Sequence, residues 1–184
     1  SLHDALPIYP ASATSGVTDG TIGFSLSSVN VELAIVEDTT AGTKYTGIEA
    51  ALSNAALIGI PNLTFVATGA VEMNQTSGAS RLDWSAVTGG TNELPAVDLD
   101  MDETVVLGAS GSVALDAFGL LVAQGTFDFE KRTGVAIDDG NITAFTADTL
   151  TLDATVSGFA GIGGSLDDPA SATSGVTDGT IGFS

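Results

Sequence analysis

Asp98-Leu99-Asp100-Met101-Asp102-Glu103 is the stretch whose side chains come nearest to a reactive arrangement. On an extended strand successive side chains point to opposite faces, so Asp98, Asp100 and Asp102 would share one face and Leu99 and Met101 the other. Three carboxylates aligned in this way offer the hard oxygen donors that Ca²⁺ takes. The spacing is wrong for a helix-loop-helix calcium loop, because Glu103 stands where that loop turns on Gly and Ala109 where its bidentate Glu belongs. A solvated strand face is the plainer account of the same pattern. Asp167, Asp168 and Asp178 make a weaker oxygen-rich group, and Asp138-Asp139-Gly140-Asn141 is mainly a turn signal.

Catalysis is argued against by inventory. The chain has no cysteine and one histidine, His3, so the remainder has no imidazole base, no Ser-His-Asp arrangement and no Cys-His pair. Paired carboxylates could in principle cleave a glycoside, but Trp84 and Tyr45 are the only polar aromatics after residue 9 to serve as sugar platforms. Gly161-Ile162-Gly163-Gly164 lacks the lysine and the helix of a phosphate-cradling loop. The expectation is a protein that is not an enzyme, with no catalytic residue and no certain cofactor, calcium being the one candidate.

The charge narrows the partners. With 23 Asp and Glu against 4 Lys and Arg, the net charge of −19 repels nucleic acid and anionic membrane surfaces. Mean hydropathy is nevertheless positive at +0.35, which excludes a disordered acidic tail. Ala50 to Val71 is uncharged and long enough to span a bilayer as a helix. Asn54, Pro61, Asn62 and Thr64 interrupt it, so two strands joined by a turn at Pro61-Asn62 are expected, with no membrane insertion. A membrane β-barrel would need aromatic girdles that one Trp and two Tyr do not supply.

These residues must be positioned by strands, because the dominant signal is period-two alternation in short runs of Val, Ile, Leu, Phe and Thr bounded by Gly, Asn and Asp. Thr21 to Leu26 and Val29 to Val36, separated by Ser27-Ser28, read as a hairpin. Tyr45 to Leu52 reads as a further strand, with a short helical turn as the alternative because Ile48, Ala51 and Leu52 also fit helical spacing. Phe65 to Met73 aligns without gaps on Leu121 to Phe129, sharing a Gly (Gly69, Gly125) and an acid near the end, each run preceded by an apolar run and a turn. Gly inside a strand weakens it unless another backbone or layer comes close, which favours stacked or curled sheets. Gln75 to Leu94 reads as a loop, with Trp84 either a ligand platform or packed over the end of a sheet.

A longer repeat frames all of this. Pro10 to Ser25, PASATSGVTDGTIGFS, recurs unchanged at Pro169 to Ser184, a period of 159. The expected organisation is one full unit over residues 10–168 and the start of the next over 169–184. Ser1 to Tyr9, SLHDALPIY, resembles a translated sequencing-adapter remnant and is set aside from fold reasoning. The fold class expected is all-β, as an elongated β-roll or solenoid-like stack of hairpins, with a β-sandwich as the alternative.

Ser28 to Ala34, the Tyr45 to Ala50 stretch leading to Leu57-Ile58-Gly59-Ile60, Gly125 to Lys131 and Phe159 to Gly164 follow one another through most of the unit. In that order they resemble the tandem repeats of giant exported or surface-attached proteins of environmental bacteria, adhesin-like and akin to haemolysin-type calcium-binding proteins. The resemblance implies a structural or adhesive module, secreted or at the bacterial cell surface, partnered by adjacent repeats and by a cell-surface or glycan ligand. Such repeats often carry an Asp/Asn-rich loop after the Gly-Gly, where this chain has only Ser165-Leu166-Asp167-Asp168.

Overall fold

The computed structural model describes residues 20–184, so the expectation for Ser1 to Tyr9 lies outside the described residues. Six long strands follow one another: β1 (Gly23–Glu37), β2 (Lys44–Ile58), β3 (Leu63–Thr76), β4 (Val105–Ala117), β5 (Leu121–Ile137) and β6 (Phe145–Ile162). Three short ones close the order: β7 (Ser165–Leu166), β8 (Val176–Thr177) and β9 (Ile181–Phe183). The chain is all-β, with no helix among the described residues. One antiparallel seven-stranded sheet has the order β1-β2-β3-β4-β5-β6-β9, and β7 and β8 pair separately.

Alternation makes the strands, and tight turns set their order. Ala50 to Val71 is indeed two strands, β2 and β3, joined through Pro61-Asn62, where Asn62 takes the left-handed conformation at φ 60° that Asn tolerates. The equivalent turn between β4 and β5 sets Phe118 at φ 61° and Gly119 at φ 64°, with the Asp116 carboxylate accepting the Gly119 N–H at 2.8 Å. The aligned segments at Phe65 and Leu121 are thus the outgoing strands of two like hairpins.

The expected hairpin at Ser27-Ser28 is corrected: β1 runs straight through, paired with β2 from Gly23↔Ile58 to Glu37↔Lys44. Ser28 adopts φ 55° and has no hydrogen-bonded ladder partner, which marks a kink within the strand. Its β2 counterpart is Ser53-Asn54, where two residues oppose Thr68 of β3 as a bulge. An extra residue at this level on both strands restores the phase of alternation. Phe24 and Leu26 before it, and Val29, Val31, Leu33 and Ile35 after it, therefore share one face.

That face is open. Val29, Val31, Leu33 and Ile35 are followed across the sheet by Val71, Phe127, Leu150 and Leu152, all exposed. Close approach at the strand glycines comes from backbone within the sheet: a Cβ on Gly69 would stand 3.1 Å from the Ser110 carbonyl of β4. At Gly111, which faces Gly69, a Cβ would stand 2.8 Å from the Thr68 carbonyl and 2.9 Å from the Phe127 ring of the next strand.

The other face is covered at both ends. Residues 78–104, between β3 and β4, fold over one end and bury Trp84, Leu99 and Met101 against Ala34 and Val105. Residues 163–180 cover the opposite end, where Leu166 packs on Ala114 and Val122. Burying a side chain of that size stabilises by about 1.5–3 kcal/mol, so these two patches hold the covers to the sheet.

Candidate functional site

Between the two covers the sheet exposes a polar floor. Register carries Glu32 onto Glu49, Glu49 onto Glu72, Glu72 onto Gly108 and Gly108 onto Glu130, one level crossing five strands. The next level holds Asn30, Ala51, Ala70, Ser110 and Asp128. Together with Asp98 they line a groove of about 370 Å³.

Like charges set directly opposite on neighbouring strands destabilise a sheet. Two devices relieve them here. The Asp98 N–H donates to Glu32 at 2.7 Å and the Asp100 N–H to Glu49 at 2.6 Å, so backbone of the 78–104 cover is fastened to the row. Arg132 pairs with Glu130 at 2.6 Å and with Asp102 at 3.0 Å. Gly108 leaves room for Glu72, whose side chain lies over the place where a Cβ would stand.

The expected alternation of Asp98 to Asp102 holds locally: Leu99 and Met101 are buried, and Asp98 and Asp100 are exposed. These residues form an extended cover segment that belongs to no sheet strand. Asp102 is separated from the other two by its role. Its carboxylate accepts the Thr104 N–H at 2.8 Å and the Thr104 hydroxyl, and meets Arg132. The Thr104 hydroxyl bond leads in holding the Asp102 carboxyl below its ordinary value. Asp138 and Asp139 cap their own turn, accepting the N–H groups of Gly140, Asn141 and Ile142. Asp167 accepts the Thr177 hydroxyl and Asp168 the Ala170 N–H. Among the described residues no three His, Cys, Asp or Glu groups are placed to hold a metal ion together.

Trp84 is fully buried, which corrects the platform alternative: it packs over the end of the sheet and donates its indole N–H to Asn74 at 3.0 Å. No family model, curated protein or solved structure matches the chain. No helix among the described residues is long and apolar enough to cross a membrane.

The glutamate row makes stability depend on pH. Burial, then the neighbouring acids, pushes the Glu49 and Glu72 carboxyls above their ordinary value of 4.5, although a bond from the Asp100 N–H to Glu49 and the charge of Arg132 near Glu72 act the other way. A raised value in the folded state means that their contribution is fully present below about pH 4.5 and is lost as pH rises through the folded value. Asp102, held low, acts oppositely: its contribution is present above 3.8 and is lost as pH falls through its folded value. Glu72→Gln is therefore expected to raise stability at pH 7 and low salt by a few tenths to about 1 kcal/mol. The gain should shrink in salt and vanish near pH 4.5; urea denaturation at the two pH values measures it, and an equal gain at both would refute the account.

Proposed function

We propose that the chain is a structural or adhesive repeat unit of a very large extracellular or cell-surface bacterial protein. Its role is to extend and present other parts of that protein and not to catalyse a reaction. The observation that carries this reading is the unchanged recurrence of sixteen residues, Pro10 to Ser25, at Pro169 to Ser184. Units following one another would form an elongated roll or solenoid-like stack; in the sandwich alternative, open faces of two sheets would meet. Long strands, an acidic net charge and the ordered resemblance to giant surface repeats support the reading. Neighbour-to-neighbour stabilisation is what repeat arrays rely on, so proteins of one, two and three 159-residue units should become progressively more resistant to heat and urea. A single unit as stable as three units would overturn it.

A second reading, a calcium-dependent or glycan-binding module, is favoured by the glutamate level and its groove, with Asp98 in the lining and the Asp100 N–H bonded to Glu49. Calorimetry with Ca²⁺ and a glycan array separate the two. Heat of binding that is lost in a Glu49→Gln/Glu72→Gln variant supports the module, while no heat and no retained glycan leaves the structural unit.

A further inference from the structure

In a chain carrying these units in tandem, we propose that β6 of one unit and β1 of the next are hydrogen-bonded neighbours, so that one sheet runs on through successive units. This rests on the repeat reading above and adds its interface and register. Ile22-Gly23-Phe24 and Ile181-Gly182-Phe183 are the same tripeptide 159 residues apart, inside the recurring segment. The structure displays that tripeptide at both edges of the sheet. In the first copy, Gly23 and Phe24 pair with Ile58 and Leu57 of β2. In the second, Ile181, Gly182 and Phe183 form β9 and pair with Ile162, Gly161 and Ala160 of β6. A strand has two hydrogen-bonding edges, and the two copies each reveal one. A unit flanked on both sides would use both.

The contact at β9 is built for close approach, since a Cβ on Gly161 would stand 2.0 Å from the Ile181 carbonyl. The segment leading to it is fastened down by Leu166 against Ala114 and Val122. Neither β1 nor β6 contains Lys or Pro, the residues with which free edges are commonly blunted. Only Ala160, Gly161 and Ile162 of the eighteen residues in β6 meet β9.

The faces fix the register. Continuing antiparallel from Ala160 opposite Phe24 of the next unit brings Gly158 opposite Leu26. If Ser27 and Ser28 together oppose Ser157, as Ser53 and Asn54 together oppose Thr68, the apolar phase is kept. Val156 then meets Val29, Ala154 meets Val31, Leu152 meets Leu33 and Leu150 meets Ile35. Without that bulge Leu152 would meet Glu32, a mismatch of faces that register rules disfavour. In the bulged register Glu32 faces Asp153, which lengthens the acidic floor into the next unit.

Cysteine pairs in a two-unit protein, residues 20–178 followed by a second copy, test this. Leu152→Cys in the first unit with Leu33→Cys in the second should close an intramolecular disulfide on mild oxidation, read by gel mobility and mass spectrometry. Leu150→Cys with Ile35→Cys should do the same and guards against one pair failing to fold, all four positions being more than half exposed in the single unit. Leu152→Cys with Glu32→Cys should not link. Linking of that last pair, linking only between separate chains, or no linking in either of the first two overturns the proposed register. If two units still outlast one in urea while the pairs stay open, the sheet does not continue but the repeat reading stands. If stability is also unchanged, both fall.

Discussion

Trp84→Ala is expected to remove about 3–5 kcal/mol of stability and to release the cover over residues 78–104. Trp84 is fully buried among Ala34, Leu99, Met101 and Val105, and it fills the space above Gly47, where a Cβ would stand 2.6 Å from the indole. No neighbour can collapse into the hole without pulling the cover away from β1 and β2. Trypsin reads this cleanly, because the chain has only 4 Lys and Arg. Arg81 is held by bonds to the Asn74 carbonyl at 3.1 Å and to the Thr133 hydroxyl. Cleavage after Arg81 should be slow in the parent and fast in the variant, while cleavage at Lys131 and Arg132 changes less. Cleavage at all sites rising together would mean that cover and sheet unfold as one unit.

Asn74→Ala should cost about 2–4 kcal/mol, because one buried amide satisfies three partners at once. Its Nδ2 donates to the Leu82 carbonyl at 2.8 Å and the Asp102 carbonyl at 3.0 Å, while its Oδ1 accepts the Trp84 indole N–H at 3.0 Å. Truncation leaves two carbonyls and an indole without partners at the base of the cover. Denaturant titration followed by the fluorescence of Trp84, the one tryptophan, measures both the loss and any wetting of the ring. The two substitutions remove parts of one network, so the double variant should lose clearly less than the sum of the singles. Additive losses would show that Asn74 and Trp84 act separately.

Alternation made the all-β fold legible, and Pro61-Asn62 made the β2–β3 hairpin legible, because both signals are local. The kink at Ser27-Ser28 was not: two serines between apolar runs look like a turn, and only the matching bulge at Ser53-Asn54 on the neighbouring strand turns them into a phase correction. For the same reason the glutamate level was hidden. Glu32, Glu49, Glu72 and Glu130 are scattered in sequence, and register alone aligns them; the acid near the end of the two aligned segments, Glu72 and Asp128, was the visible trace. Asp98 and Asp100 were visible as a motif, but their contribution to the site is made by their backbone N–H groups, which no choice of side chain reveals.

From β1 to β6 every strand of the large sheet lies beside the one that precedes it in the chain. No late arrival has to insert between two strands already joined, so loop-closure entropy is met in small instalments and contacts stay short in sequence. Such a chain can zip up from its N-terminal side as it emerges, each new hairpin finding its template already laid down. That order of assembly suits a polypeptide delivered end first, whether from a ribosome or through a narrow pore, and it limits how long any bare edge waits for its neighbour.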